Sequence, residues 1–101
     1  MTFREVCNMK ISIQCFGQLR TITKERYVEL EVEEKTSIFK AIEQLKNKYG
    51  KSVERLLYND GQIREFFFIQ VDNSNIEHDE LDEIFVEEGQ IISIIPFVAG
   101  G

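Results

Sequence analysis

The chain has 101 residues, of which 43% are hydrophobic and 30% charged. That balance is typical of one globular domain, and the length is too short for two. The formal net charge is −6, and residues 65–101 carry nine acidic side chains without a lysine or arginine. Such a segment repels phosphates, so we expect no nucleic-acid partner. It either attracts a basic protein surface or simply solvates a small domain.

The first predicted elements are two strands. Apolar and polar residues alternate over residues 9–15 and again over residues 27–32, a period of two that predicts half-buried strands paired as a hairpin. The polar segment 17–26 between them predicts a loop. Phe16 falls on the polar face of the first strand, out of phase with the core.

The next element has the period of an amphipathic helix. Thr36 or Ser37 can cap its start, and Gly50 can end it. The apolar residues recur at i, i+3, i+4, i+7 and i+11, at positions Ile38, Ala41, Ile42, Leu45 and Tyr49.

The second half predicts further strands separated by turns. Residues 91–95 form a nearly continuous apolar run that ends at Pro96, which predicts a central strand buried on both faces. The order β-β-α-β-β predicts an α+β fold with one helix on one face of a mixed sheet. The remaining segments are a helical turn at 53–57, a strand at 66–71, and turns or connections at 59–61, 72–75, 78–83 and 87–89.

No set of residues predicts catalysis by the chain itself. His78 is the one histidine, so a catalytic triad or a zinc site is not expected. Cys7 and Cys15 do not suggest a disulfide framework, and Cys15 fits a core position. No apolar run reaches the ~18 residues of a membrane span, and no secretory signal is visible at the start. We therefore expect a cytoplasmic protein without membrane contacts.

The end of the chain is the most informative segment. Beyond Pro96 stand Phe97, Val98, Ala99, Gly100 and Gly101, a slim, flexible tail that can extend ~17 Å. If its terminal carboxylate reacts, the chain is a carrier or substrate and needs no catalytic residues of its own. The alternative is an ordinary chain end.

Three stretches together resemble the ubiquitin-like sulfur carriers, and among them the small subunits of molybdopterin synthase. They are IQCFGQLR at 13–20, VDNSNI at 71–76 and EGQIISIIPFVAGG at 88–101. The resemblance spans residues 9–101. Two departures stand out: Phe97 occupies the place of a second proline, and Asp72 replaces the usual asparagine of the turn.

The resemblance implies a β-grasp domain at 9–96, with an N-terminal extension at 1–8 and the tail at 97–101. It implies that an E1-like enzyme uses ATP to adenylate Gly101, that a sulfur donor then gives a thiocarboxylate, and that Gly100 precedes the reacting end. The tail would enter the large subunit of molybdopterin synthase, where two carriers supply the two dithiolene sulfurs. The chain itself would bind no cofactor or metal and would not be an enzyme.

The resemblance also assigns docking residues. Phe16 and Ile95 match positions that contact the large subunit, and Phe68 lies on a strand face left without core partners. The tail residues Pro96, Phe97, Val98 and Ala99 would contact the partner as well.

Other functions fit the same sequence. The chain could be a protein modifier joined through Gly101 to lysines, or a sulfur carrier for thiamine, cysteine or tRNA thiolation. It could also be a plain interaction module with an inert tail.

Overall fold

The computed structural model describes residues 8–97. Its helices are α1 (Gly17–Thr23), α2 (Ile38–Tyr49) and α3 (Lys51–Leu57), and a 3₁₀ turn covers His78–Glu80. Its strands are β1 (Asn8–Cys15), β2 (Tyr27–Glu33), β3 (Tyr58–Asn59), β4 (Gln62–Ile63), β5 (Phe67–Val71), β6 (Ser74–Ile76) and β7 (Ile91–Pro96).

Five strands form one mixed sheet in the order β2-β1-β7-β5-β6, and β3 and β4 form a separate ribbon. The central strands β1 and β7 run parallel, and their other neighbours in the sheet are antiparallel. This order, with the long helix α2 packed on one face, confirms the α+β, β-grasp expectation.

The hydrophobic core lies between one face of the sheet and the helices; we name this the closed face. Every second residue of the long strands points into it, as period-two alternation requires. From the central strands come Ile11, Ile13, Ile92 and Ile94, all buried. The apolar stripe of α2 covers them and thereby removes itself from water; its buried members are Ile38, Ala41, Ile42 and Leu45.

The boundaries of α2 confirm its predicted signals. The Ser37 Oγ accepts a hydrogen bond from the Lys40 amide at 3.1 Å, so Ser37 is the N-cap. Thr36 instead donates through its hydroxyl to the Glu33 carbonyl at 2.6 Å. Gly50 ends the helix at φ 81° and ψ −149°, a conformation that a residue with a Cβ rarely adopts.

Three sequence predictions need correction. The segment predicted as a loop forms α1, because Leu19 and Thr23, one turn apart, are both buried. The helical turn expected at 53–57 is a full helix that begins at Lys51. The central strand β7 is buried mainly on its closed face, since Ile91 is exposed and Ile95 only half-buried.

Candidate functional site

The other side of the sheet, which we name the open face, divides into two zones. Its middle is a polar row that crosses all five strands: Tyr27, Gln14, Ser93, Gln70 and Asn75 are neighbours in the register. The Ser93 hydroxyl donates to Gln14 Oε1 at 2.9 Å, and Gln14 Nε2 donates to the Tyr27 hydroxyl at 3.2 Å. At the other end of the row, Gln70 Nε2 donates to Asn75 Oδ1 at 2.9 Å. These bonds satisfy polar side chains of the open face.

The second zone is an apolar end patch, which we define as Phe16, Phe68, Ile95 and Phe97. Phe68 pairs with Ile95 in the register of β5 and β7. The rings of Phe68 and Phe97 meet edge to face, with centroids 5.7 Å apart. Phe16 keeps an extended backbone after Cys15, the partner of Ile94, so it continues the alternation toward the open face beside Ile95.

The patch lies at the base of the tail. The Phe97 amide donates to the Phe66 carbonyl at 2.7 Å, which prolongs the pairing of β7 with β5 by one residue. Pro96 lies half-buried on the closed-face side of β7. There Gly17, at φ 57°, comes so near that a Cβ on it would lie 3.4 Å from the Pro96 Cγ. The end of β7 therefore contacts β5 through Phe97 and the start of α1 through Pro96.

Carboxylates border the patch on one side. A groove of about 510 Å³ at the β5 and β6 edge is lined by Phe68 and Asn75 together with Glu65, Glu77 and Asp79. Exposed apolar side chains beside acidic ones favour a partner surface that is apolar in its centre and basic at its rim.

The predicted site residues fall into three groups. Phe16, Ile95 and Phe97 come together in one patch with Phe68, whereas Pro96 lies on the other side of the strand. Both of the reacting residues, Gly100 and Gly101, lie outside the described residues, as do Val98 and Ala99. The Cys7 prediction and residues 1–7 of the extension also lie outside them.

The two other side chains considered for chemistry, Cys15 and His78, contact only neighbouring parts of the fold. Cys15 is buried, as predicted, and burial raises the pKa of its thiol; a hydrogen bond with Thr23 lowers it and the Glu25 charge raises it. His78 Nε2 lies 3.1 Å from the Arg64 carbonyl oxygen. Over residues 8–97, no three His, Cys, Asp or Glu side chains form a group that could hold a metal. Within the same range, no helix is long and apolar enough to span a membrane.

The polar row was missed by the sequence analysis. Its only sequence signal is that Gln14, Gln70 and Ser93 interrupt apolar strands at positions that alternate with the core. Which of them are neighbours depends on strand register, and register is a property of the folded sheet.

Comparisons with known proteins identify the family of this chain. Residues 13–101 match the ThiS family. A protein of Archaeoglobus fulgidus that bears the name putative sulfur carrier protein is 36% identical over 74 residues, which are 72% of this chain and 84% of the relative.

Two solved structures share the fold. The small archaeal modifier protein 1 of Haloferax volcanii superposes with a TM-score of 0.79 at 15% identity, covering 89% of this chain and 99% of that one. A protein of Pyrococcus furiosus named as a putative molybdopterin converting factor, subunit 1, gives 0.68 at 17% identity, covering 89% and 99%.

Proposed function

This chain belongs to the ThiS family of ubiquitin-like sulfur carriers, and on that premise we propose that it carries sulfur as a thiocarboxylate on Gly101 for molybdopterin synthesis. The chain is a co-substrate in this scheme. An E1-like enzyme activates it, a sulfur donor loads it, and the large subunit of molybdopterin synthase unloads it.

One structural observation carries the proposal: the apolar end patch adjoins the base of the tail. Phe68 and Phe97 are both about half exposed, yet they contact each other at the point where the chain leaves the sheet. A partner that covers this patch is placed to receive the tail that follows. Exposed aromatic clusters of this kind are typical of protein interfaces rather than of isolated surfaces. The family match also runs through Gly101.

The chemistry explains why the chain needs no catalytic residues. A carboxylate is a poor electrophile, so ATP converts the Gly101 carboxylate into an acyl adenylate and releases pyrophosphate. A sulfur nucleophile then attacks the acyl carbon, AMP leaves, and a thiocarboxylate remains. ATP belongs to the activating enzyme, and the slim Gly100-Gly101 end lets the acyl group enter a narrow site. In the synthase, the thiocarboxylate sulfur attacks the pterin precursor, and metal is added later.

The same surface would serve both partners in turn. Activation and sulfur transfer each need the tail inside the partner, and the patch at its base can contact one protein at a time. The carboxylates Glu65, Glu77 and Asp79 beside Phe68 predict basic residues at the rim of each partner. In such a scheme, release from the activating enzyme precedes docking on the synthase.

Sulfur transfer from a preloaded chain tests this role. The Gly101 thiocarboxylate form is mixed with the large subunit and the pterin precursor, and conversion of the pterin is followed by chromatography. We expect product from the loaded chain and none from the unmodified chain or from one that lacks Gly100 and Gly101. Conversion that proceeds equally with the truncated chain contradicts the proposal.

A second candidate is attachment to other proteins. The fold shared with the small archaeal modifier protein 1 supports it, because an activated Gly101 can also acylate a lysine amine. Branched Gly-Gly remnants on cellular lysines after proteolysis would identify this use. If Gly101 is loaded with sulfur but the pterin is not converted, the alternative role is that of a sulfur carrier for thiamine, cysteine or tRNA thiolation.

A further inference from the structure

A groove between α1 and α3 lies near the base of the tail, away from the open face. Its volume is about 590 Å³, and its walls include the apolar side chains Ile22, Leu56 and Phe66. Arg55 and Arg64 also line it, and none of its described lining residues is acidic. In a chain of net charge −6, this groove therefore combines apolar walls with a local excess of positive charge.

Phe97, the base of the tail, lies next to this groove. The Phe97 amide is bonded to the carbonyl of Phe66, whose residue also lines the groove. Four residues follow Phe97, and they can extend ~14 Å. Val98 and Ala99 are small and apolar, and the two glycines allow the backbone to turn. The segment thus matches the groove in size and polarity.

The charges are complementary as well. The Arg64 Nη2 donates to the backbone carbonyl of Arg55 at 3.4 Å, which keeps the Arg64 guanidinium beside the last turn of α3. A guanidinium pairs with a carboxylate through two parallel hydrogen bonds. On their other side the same arginines border a depression with Lys51, Glu54 and Asp60, so fixed carboxylates compete there but not in the groove.

We propose that the tail of the free protein docks in this groove of its own chain, with the Gly101 carboxylate paired to Arg55 and Arg64. The proposal rests on the proposed function in that Gly101 bears the terminal carboxylate. Docking in cis withholds the tail from partners until one covers the apolar end patch and draws the tail out. The apparent affinity of a partner is proportional to the undocked fraction, so a tail docked nine-tenths of the time weakens binding about tenfold.

Nuclear magnetic resonance of the full chain tests the docking without any partner. We expect the Gly100 and Gly101 amide signals to differ from random-coil positions and to move toward them in Arg55→Gln and Arg64→Gln. About 1 M salt, which shortens the Debye length to ~3 Å, should act in the same direction. The matched control is Arg26→Gln, since Arg26 is exposed and does not line the groove. Deleting Gly100 and Gly101 should in turn shift the methyl signals of Ile22 and Leu56.

Two results overturn the proposal. One is Gly101 signals at random-coil positions in the native chain, unchanged by either arginine substitution. The other is shifts that grow with protein concentration, which would assign the groove to the tail of a second copy. Because the chemical shifts report docking without any sulfur chemistry, a failure of the docking proposal can be distinguished from a failure of the proposed function. A docked tail that no activating enzyme loads would refute the carrier role and leave the docking intact.

Discussion

On the closed face of the sheet, β7 contributes Ile92 and Ile94, which are buried beneath the helices. On the open face it contributes Ser93, which is hydrogen-bonded to Gln14, and Ile95, which is half-buried. Neighbouring residues of one strand thus serve different purposes. The closed face stabilises the fold, and the open face leaves apolar surface exposed, which we propose as a docking patch. The difference shows how a small domain can expose apolar side chains without weakening its core.

The two faces also differ in how polar and apolar side chains are distributed along them. The closed face is apolar, whereas the open face is polar in its middle row and apolar at the end that adjoins the tail. The polar row separates this end patch from Ile91, the exposed apolar residue of β7 on the other side of the row. Five predictions, in order of decreasing effect, test this contrast.

The largest effect is expected from Ile94→Ala compared with Ile95→Ala. Ile94 is 1% exposed and its truncation leaves a core cavity, so we expect a loss of about 2–5 kcal/mol in the free energy of unfolding. The Ile95→Ala variant should lose clearly less, about 1 kcal/mol, since the Ile95 side chain is only half-buried and its truncation removes less buried apolar area. Urea unfolding monitored by circular dichroism measures both. Equal losses would contradict the division into two faces.

The next effect concerns binding rather than folding. Phe68→Ala should weaken binding to the activating enzyme by about tenfold or more, because buried aromatic anchors dominate interfaces. Phe85→Ala is the matched control: Phe85 is 53% exposed, compared with 46% for Phe68, and it pairs with Ser37 at the start of α2. Isothermal titration calorimetry measures both affinities. An equal loss from Phe85→Ala would remove the patch as the specific docking surface.

Tyr58→Phe tests an exception in the hydrophobic core. The Tyr58 hydroxyl is buried without a hydrogen-bond partner among the described residues, and its ring lies under the Lys46 ammonium at 5.0 Å. Removing an unsatisfied hydroxyl while keeping the ring should raise the free energy of unfolding by about 1 kcal/mol. Chemical denaturation near neutral pH measures this gain, and a loss would mean that the hydroxyl has a partner.

The same substitution has a signature in alkaline solution. Burial, followed by the charges of Glu43 and Glu54, raises the pKa of the Tyr58 phenol in the folded protein. The unfolded phenol ionises near pH 10, so the native chain loses stability as the pH rises past that value. Tyr58→Phe lacks this contribution, and its advantage should therefore grow above about pH 10. An advantage that shrinks there would contradict the assigned burial.

The smallest effect is expected from the polar row. Ser93→Ala removes the hydroxyl that donates to Gln14, and we expect a cost of about 0.5–1 kcal/mol because Gln14 keeps its bond to Tyr27. Ser12→Ala, on the same face of β1, should cost less, as the structure gives its hydroxyl no such bond across the sheet. Thermal unfolding of the two variants compares them, and a larger cost at Ser12 would contradict the role of the row.

The sequence predicted the elements whose signals are local. The helix α2 follows from its apolar repeat with Ser37 and Gly50 at its ends, and β2 follows from strict alternation. The helix α1 was missed because it has two turns and only Leu19 and Thr23 buried, too short a stripe for a periodic signal. The apolar end patch was suspected because Phe16 and Phe68 are out of phase with the core. Phe97 was predicted to belong to the same patch. The groove with Arg55 and Arg64 was not predicted, because it depends on contacts between segments distant in sequence.

The central claim is that Gly101 accepts sulfur, and the intact mass of the chain tests it most directly. The protein is incubated with its activating enzyme, ATP and a sulfide source, then weighed by mass spectrometry. The account predicts a gain that corresponds to the replacement of one oxygen by sulfur, located at Gly101 and absent from a chain that lacks this residue. An unchanged mass, with an enzyme that loads another carrier in the same assay, would contradict the sulfur-carrier role.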